Sequence, residues 1–383
     1  LRMSPVPLSS LMAVEEPGLL RTITLVAAGA PLPEPAELTR RETADEFPRF
    51  GIFSKSLNSD ILDERFLHFA PRRRASVYAS MPVSAAQVFE AFVLRNEYDA
   101  ILSWAEHLGL PLAALLKLTN SRIPHIGLFS WISKPKKAIL LKYVSSHIDR
   151  LILWSSVQRD FAIHKLKIHP SKIAFTRWAV DQKFWRPMDC DSDMICSAGR
   201  EMRDYETLVM ALKGLNIRCH IAARPYPGKQ DAWIQGLQEV RPLPQHVTVG
   251  PKNPVELRHL YAHSRFVVIP LLPSDTDNGI TCILEAMAMG KAVICSRTQG
   301  QVDVIKEGKT GIFVPQGDPV ALRKAIQYLW GNPEIAYEMG QEGRKYIEEH
   351  HTLEQFVSSV KSVVEEAVAE KSPRSLVRDM AVM

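Results

Sequence analysis

The sequence predicts an α/β protein of two open domains, each a parallel sheet flanked by helices. Three observations carry this. At 383 residues the chain is about two domains long, taking ~150 residues for each. In its second half, short apolar runs alternate with helix-period segments, as in a parallel sheet covered on both faces. The first half repeats that alternation, and a polar stretch at Lys183–Asp193 separates the two as a linker.

In the first half, strands are expected at Thr22–Ala27, Ala100–Trp104, His125–Phe129, Leu151–Trp154 and Ile173–Phe175. Helices are expected near Ser84–Leu94, Leu108–Leu118 and Gln158–His164. Residues 28–80 are rich in Pro, Arg and Glu without a clean period, and read as loops with one or two elements. In the second half the strands are Met194–Ala198, Arg218–Ala222, His246–Val249, Phe266–Leu271, Ala292–Ser296 and Gly311–Val314. Asn253-Pro254 with Glu256 combines a capping box with proline at the first helical position, and Asp318-Pro319 opens the helix running to about Trp330. Gly290 closes the helix over Ile283–Met289. Long amphipathic helices fill Glu334 to about Lys371. The domains are therefore expected at residues 1–183 and 184–352, with 353–383 a helix packing back toward the first domain, and a tail.

Composition removes several classes of function. With 46% hydrophobic and 23% charged residues, the chain is neither collagen-like, disordered nor a disulfide scaffold. No apolar run approaches the ~20 residues of a spanning helix, and residues 1–18 do not resemble a secretory signal. The five cysteines are odd in number, lie in the second half and never form a C-x-x-C pair, so a reducing cytoplasm is the expected location. The net charge of +5 is carried by the first half, with local runs at Arg72-Arg73-Arg74 and at Lys134, Lys136, Lys137 and Lys142. These suit an anionic acceptor or peripheral contact with anionic lipid at the inner membrane face, against the plainer reading of solvated surface. Nucleic acid is not an expected partner, because no aromatics are interleaved with these bases and no known module is present.

The most informative segment is Pro270–Gly290: a buried strand end, a polar loop with one glycine, then a helix. In open parallel sheets the ligand lies beyond the carboxyl ends of the strands, where a helix N-terminus offers free amides and a positive dipole end. Gly279 would let the backbone approach a ligand, while Ile280 and Thr281 would present amides to a diphosphate. Glu285 lies off the apolar stripe in line with Thr281, where a carboxylate can accept two hydroxyls of a ribose or sugar diol. Its bland alternative is a carboxylate that merely complements the dipole. A second cluster, Ser197–Tyr205, also follows a strand and opens a helix. Its Arg200 and Arg203 would neutralise a departing diphosphate, or else pair with Glu201 and Asp204 at the surface.

Ser197 to about Glu366 resembles the nucleotide-binding domain of retaining GT-B glycosyltransferases of family 4. The resemblance rests on Gly199-Arg200 with Arg203, and on the acidic pair Asp277 and Glu285 with seven residues between. It rests also on the runs Glu285–Ile294 and Thr310–Asp318. Ser156, Asp160 and Val180-Asp181 extend it to about Ile148. It implies a GT-B fold, with two Rossmann-like α/β domains facing a cleft, and transfer of a hexose-type sugar from a nucleotide diphosphate with retention. It implies no cofactor and no essential metal. Asp277 would hold the donor sugar, Gly279, Ile280 and Thr281 the sugar and phosphate, Glu285 the ribose, and Arg200 and Arg203 the diphosphate, with Gly199 also among the donor-binding residues. Asp277 stands where the family usually has Glu, and Ala27–Pro31 stands in for a Gly-rich loop.

Acceptor residues are expected after first-half strands: Trp104 and Trp131 to stack on a sugar, lipid or small molecule, and Glu106 to orient its hydroxyl. The equal alternative is that both tryptophans simply cover the sheet. Asp191-Ser-Asp193 and Asp275-Thr-Asp277 match the Asp-x-Asp pattern of metal-dependent transferases, but three-residue matches are cheap. Two other classes of function are compatible with the same fold. A nucleotide-sugar epimerase or hydrolase would turn over donor without acceptor, whereas a non-catalytic binder would turn over nothing.

Overall fold

The computed structural model describes residues 20–27, 33–223 and 232–371. They divide into two compact units. One comprises the described residues up to Arg41, Phe50–Thr176 and those from Val357 onward; the other comprises Glu42–Arg49 and Arg177–Phe356.

The first unit is built on β1 (Thr22–Val26), β2 (Ser59–Leu62), β3 (Ala100–Trp104), β4 (His125–Leu128), β5 (Arg150–Leu153) and β6 (Ile173–Phe175). All pair in parallel, in the order β2-β1-β3-β4-β5-β6. Its helices are α1 (Pro35–Thr43), α2 (Gly51–Ser56), α3 (Arg72–Tyr78), α4 (Val83–Leu94), α5 (Glu106–Leu118), α6 (Pro135–Val144) and α7 (Ser156–His164). Every residue of β4 is buried, as expected of a central strand covered on both faces. Gly109 lets α5 lie close to the sheet: a Cβ there would stand 2.3 Å from Ser103 Oγ and 2.6 Å from the Phe129 ring. Within residues 28–80 the chain forms α1, α2, β2 and α3, more order than the sequence suggests. The glycine-containing run Ala27–Pro31 falls, from residue 28, outside the described residues.

The second unit contains β7 (Met194–Ala198), β8 (Arg218–Ala222), β9 (Val247–Val249), β10 (Ser264–Ile269), β11 (Ala292–Ser296) and β12 (Gly311–Val314), parallel throughout, in the order β12-β11-β10-β7-β8-β9. The helices are α8 (Tyr205–Leu212), α9 (Ala232–Glu239), α10 (Pro254–His263), α11 (Ile280–Ala288), α12 (Pro319–Gly331) and α13 (Pro333–His350), followed by α14 (Leu353–Lys371), which runs on into the first unit. The expected start signals are made: Asn253 and Glu256 form a reciprocal capping box, and Asp318 accepts from the amides of Val320 and Ala321. Gly290 ends α11 with φ +69°.

The segment expected as a linker belongs to this unit, and two of its residues enter the core. Phe184 and Trp185 are buried, and the Trp185 ring lies 5.7 Å from that of Tyr261. The division falls earlier, at Thr176/Arg177. Glu42–Arg49 is held in the same unit by ions: Arg49 Nε donates to buried Asp181 at 2.9 Å, and Arg258 donates to Asp45 at 2.9 Å.

Each sheet reverses its strand order once, at β1/β3 in the first unit and at β7/β10 in the second. At such a switch the following segments leave in opposite directions and open a crevice at the carboxyl edge.

Candidate functional site

In the second unit the crevice is bounded by the loop after β7, Gly199–Asp204, and the loop after β10, Pro270–Gly279. Main-chain bonds zip the two together. Asp204 N–H donates to the Pro270 carbonyl at 3.1 Å, Leu272 N–H donates to the Met202 carbonyl at 2.9 Å, and Arg203 bridges antiparallel to Leu271.

The second loop delivers the N-terminus of α11. Gly279 caps it with φ +90°, and a Cβ there would stand 2.9 Å from Ile269 Cγ2, so backbone and space both demand glycine. No acidic residue occupies the first turn, so the positive dipole end is not neutralised locally. Of the two expected amides, that of Ile280 is already engaged, donating to the Asp277 carbonyl at 3.1 Å. Thr281 is exposed at the opening. Its amide and that of Cys282 are the first-turn donors left for an anion.

Glu285 is buried one turn inside. Tyr261, on α10, donates its hydroxyl to Glu285 Oε2 at 3.0 Å. Burial pushes this carboxyl up to about 8, against the opposing effects of the Tyr261 hydrogen bond and the Arg203 charge. Asp277 is buried too and accepts from Thr276 Oγ1 at 3.2 Å; burial, with Asp303 adding to it, pushes its carboxyl up to about 7.

The two arginines differ. Arg200 is exposed at the rim. Arg203, which the sequence suggests as a diphosphate ligand, is buried. It donates through Nε to the Ala198 carbonyl at 2.9 Å, through one terminal nitrogen to the Glu201 carbonyl at 2.8 Å and through the other to Cys282 Sγ at 3.4 Å. Its guanidinium occupies the space that a side chain at Gly199 (φ +98°) would need, with 2.2 Å to a Cβ built there. The charge sits beside the α11 terminus, 3.7 Å from a Cβ built at Gly279.

Sequence reasoning missed Tyr261 and the loop after β11. Gln301 Nε2 donates to the Asn278 carbonyl at 3.1 Å, and Gly300 N–H donates to the Ser274 carbonyl at 3.1 Å. A Cβ at Gly300 would stand 2.2 Å from the Thr276 carbonyl oxygen. The only sequence signal was the Gly300 residue itself, one residue type among many turn formers.

In the first unit, Trp104 ends β3 and Glu106 follows it at the switch point. Ala105 between them adopts φ +125°, a left-handed conformation uncommon outside glycine. Glu106 is buried and fully engaged. Oε1 accepts from the amides of Ser130 at 2.8 Å and Trp131 at 2.5 Å, and Oε2 accepts from Lys137 Nζ at 3.0 Å. Burial opposes its ionisation, but the Lys137 charge and the Trp131 amide prevail and hold its carboxyl below the usual range. Glu106 therefore fixes the Ser130-Trp131 loop and has no oxygen directed at an acceptor. Trp131 is half-buried under Lys134, whose Nζ lies 3.6 Å from the ring centroid; Trp104 packs 5.1 Å from the Phe53 ring.

Of the Asp-x-Asp matches, Asp193 pairs with Arg218, and Asp277 is the buried residue described above. Among the described residues no cluster of three or more His, Cys, Asp or Glu is placed to hold a metal, and no helix is long and apolar enough to cross a membrane.

Residues 193–346 match the family model described as "Glycosyl transferases group 1". The chain is 30% identical over 93 residues to the putative glycosyltransferase EpsD of Bacillus subtilis, an alignment taking in only 24% of that protein's length. It is 23% identical over 309 residues to the uncharacterized glycosyltransferase MJ1178 of Methanocaldococcus jannaschii, covering 78% of this chain and 84% of that one. Among solved structures it is similar to sucrose-phosphate synthase from Thermosynechococcus elongatus, with TM-score 0.70 at 17% identity over 91% of this chain and 99% of the other. It is also similar to Anabaena HepE solved with UDP-glucose, with TM-score 0.65 at 14% identity over 92% and 100%. The fold is GT-B, and the family-model match over residues 193–346 supports a glycosyltransferase.

Proposed function

We propose that the protein transfers a hexose-type sugar from a nucleoside diphosphate to an acceptor hydroxyl, with retention at the anomeric carbon and without an essential divalent metal. The observation that carries this is the open N-terminus of α11 at the β7/β10 switch, with buried Glu285 one turn inside. A diphosphate suits the amides of Thr281 and Cys282, and a ribose diol suits Glu285. HepE, similar in fold, was solved with UDP-glucose, which supports a donor of that class.

In the proposed step the bond from the anomeric carbon to the diphosphate oxygen breaks, and the acceptor oxygen bonds on the same face. The acceptor proton passes to the departing diphosphate oxygen, so no side-chain nucleophile is required. Charge growing on that group is met by the helix terminus and exposed Arg200, with Arg203 behind them as a fixed buried cation. Asp277 orients the sugar. The acceptor, a glycan, lipid or small molecule, is assigned to Trp104 and Trp131 of the first unit, with Glu106 holding the Trp131 loop.

Titration calorimetry with a panel of nucleotide sugars tests the donor site. Product analysis with the best donor and a mixed acceptor pool, reading the anomeric coupling by NMR, tests transfer and retention. Binding of one donor class with an α-to-α product supports the reading. Absence of uptake of any sugar nucleotide, or hydrolysis alone with every acceptor, overturns it.

A further inference from the structure

Helix α6 is apolar on two sides. Ala138, Leu141 and Val144 face the core of the first unit. Ile139 and Tyr143, one turn apart, stand away from it at 74% and 62% exposure, and Leu118 at the end of neighbouring α5 is 79% exposed. Leu118 and Ile139 are the most exposed large hydrophobic side chains among the described residues. Folding of this unit gives no reason to put them there.

Cations surround them. Lys136 and Lys142 lie one turn either side of Ile139, both exposed and without an ion pair among the described residues. Lys117 lies 3.8 Å from the centroid of the Tyr143 ring and donates to the Tyr143 carbonyl, tying the two helices together. The flanking helices offer these lysines no exposed carboxylate. The only two on α3, α4, α5 and α6 are Glu90 and Glu106, 1% and 3% exposed, and each is claimed from within by Arg74 or Lys137. Two of the basic residues prominent in the sequence are thus internal partners, and the surface charge comes from the others.

We propose that this face of α5 and α6 docks on an anionic lipid bilayer, Leu118, Ile139 and Tyr143 entering the headgroup boundary while Lys117, Lys136 and Lys142 meet lipid phosphates. Lysine stems lie along apolar surface with the ammonium reaching outward, the arrangement that interfacial helices use. A second copy of the chain fits poorly, because a two-fold contact would set these lysines against themselves. The proposal is independent of the donor site and of the transferase reading.

The test is sedimentation of the intact chain with vesicles of phosphatidylcholine alone or mixed equally with phosphatidylglycerol, with no sugar nucleotide present. Partition into the mixed vesicles is expected to exceed that into neutral ones by about tenfold or more and to fall with added salt. Lys136→Gln and Lys142→Gln are each expected to weaken it about fivefold. Ile139→Asp is expected to weaken it ~tenfold or more, with melting temperature and nucleotide-sugar affinity unchanged. Equal partition into both vesicle types overturns the proposal, as does wild-type binding by Ile139→Asp and by each of the two lysine variants. A concentration-dependent dimer that Ile139→Asp dissociates, in a chain that ignores vesicles, also overturns it and assigns the face to self-association.

Discussion

Tyr261 and Glu285 meet hydroxyl to carboxylate at 3.0 Å, across from α10 to α11, with both side chains buried. The contact fixes one carboxylate oxygen and leaves the other for a ligand. Tyr261→Phe is expected to keep the fold and weaken donor binding by about 0.5–1.5 kcal/mol, the net value of one hydrogen bond, measured by calorimetry.

Glu285→Ala removes the proposed ribose acceptor itself. Donor affinity is expected to fall by about 1–3 kcal/mol in a chain that still melts cooperatively. Unchanged affinity in the folded variant would remove Glu285 from the site.

Glu285, pushed up to about 8 by burial, and Asp277, pushed up to about 7 by burial, make stability depend on pH. Both carboxyls hold protons in the folded chain that they release when unfolded near pH 4. Between those limits the folded state binds more protons, so stability falls as pH rises from about 4 to 8, by at most ~1.4 kcal/mol per unit for each group. Melting temperature measured across this range should decline, and Glu285→Gln should flatten the upper part. Donor hydroxyls favour the ionised carboxylate, so binding should release protons and tighten with rising pH, visible as buffer-dependent heats.

Gly300→Ala places a methyl group against the Thr276 backbone. Backbone cannot step aside as a flexible side chain can, so a loss of about 1–3 kcal/mol in stability is expected, read by denaturant unfolding. Donor affinity should fall with it, because the Thr276–Gly279 loop positions the start of α11.

Transfer is expected to proceed undiminished in excess EDTA, measured as product formed per minute, if helix amides and arginine carry the leaving-group charge. Loss of activity restored by magnesium or manganese would require a carboxylate-held ion instead.

The second unit was the more legible in sequence because β7, β10 and β11 are almost wholly buried apolar runs and its helices are bounded by caps such as Asn253/Glu256 and Asp318. Each gives a local signal. β2 was missed because Ser59-Asp-Ile-Leu62 sits at a sheet edge, where half-burial leaves no apolar run. α6 was missed because Ile139 and Tyr143 outside cancel the periodicity set by Ala138, Leu141 and Val144 inside. Glu285 and Gly279 could be chosen from motif and helix position. The engagement of Glu106, Arg203 and the Ile280 amide could not, since each is decided by a partner remote in sequence or by a turn. Tyr261 carried no motif at all, its role arising only when α10 comes to lie against α11.

The chain enters the second unit at Glu42, leaves at Arg49, re-enters at Arg177 and departs within α14. Synthesis therefore cannot finish one half and then begin the other. Residues 357–371 belong to the first unit, with Glu370 reaching Arg150 and Lys371 reaching Asp149, and in the chain they follow the whole of the second unit. A nascent chain stalled before that point would present two incomplete halves to chaperones, and genetic separation at residue 176 should give fragments that fold only when expressed together.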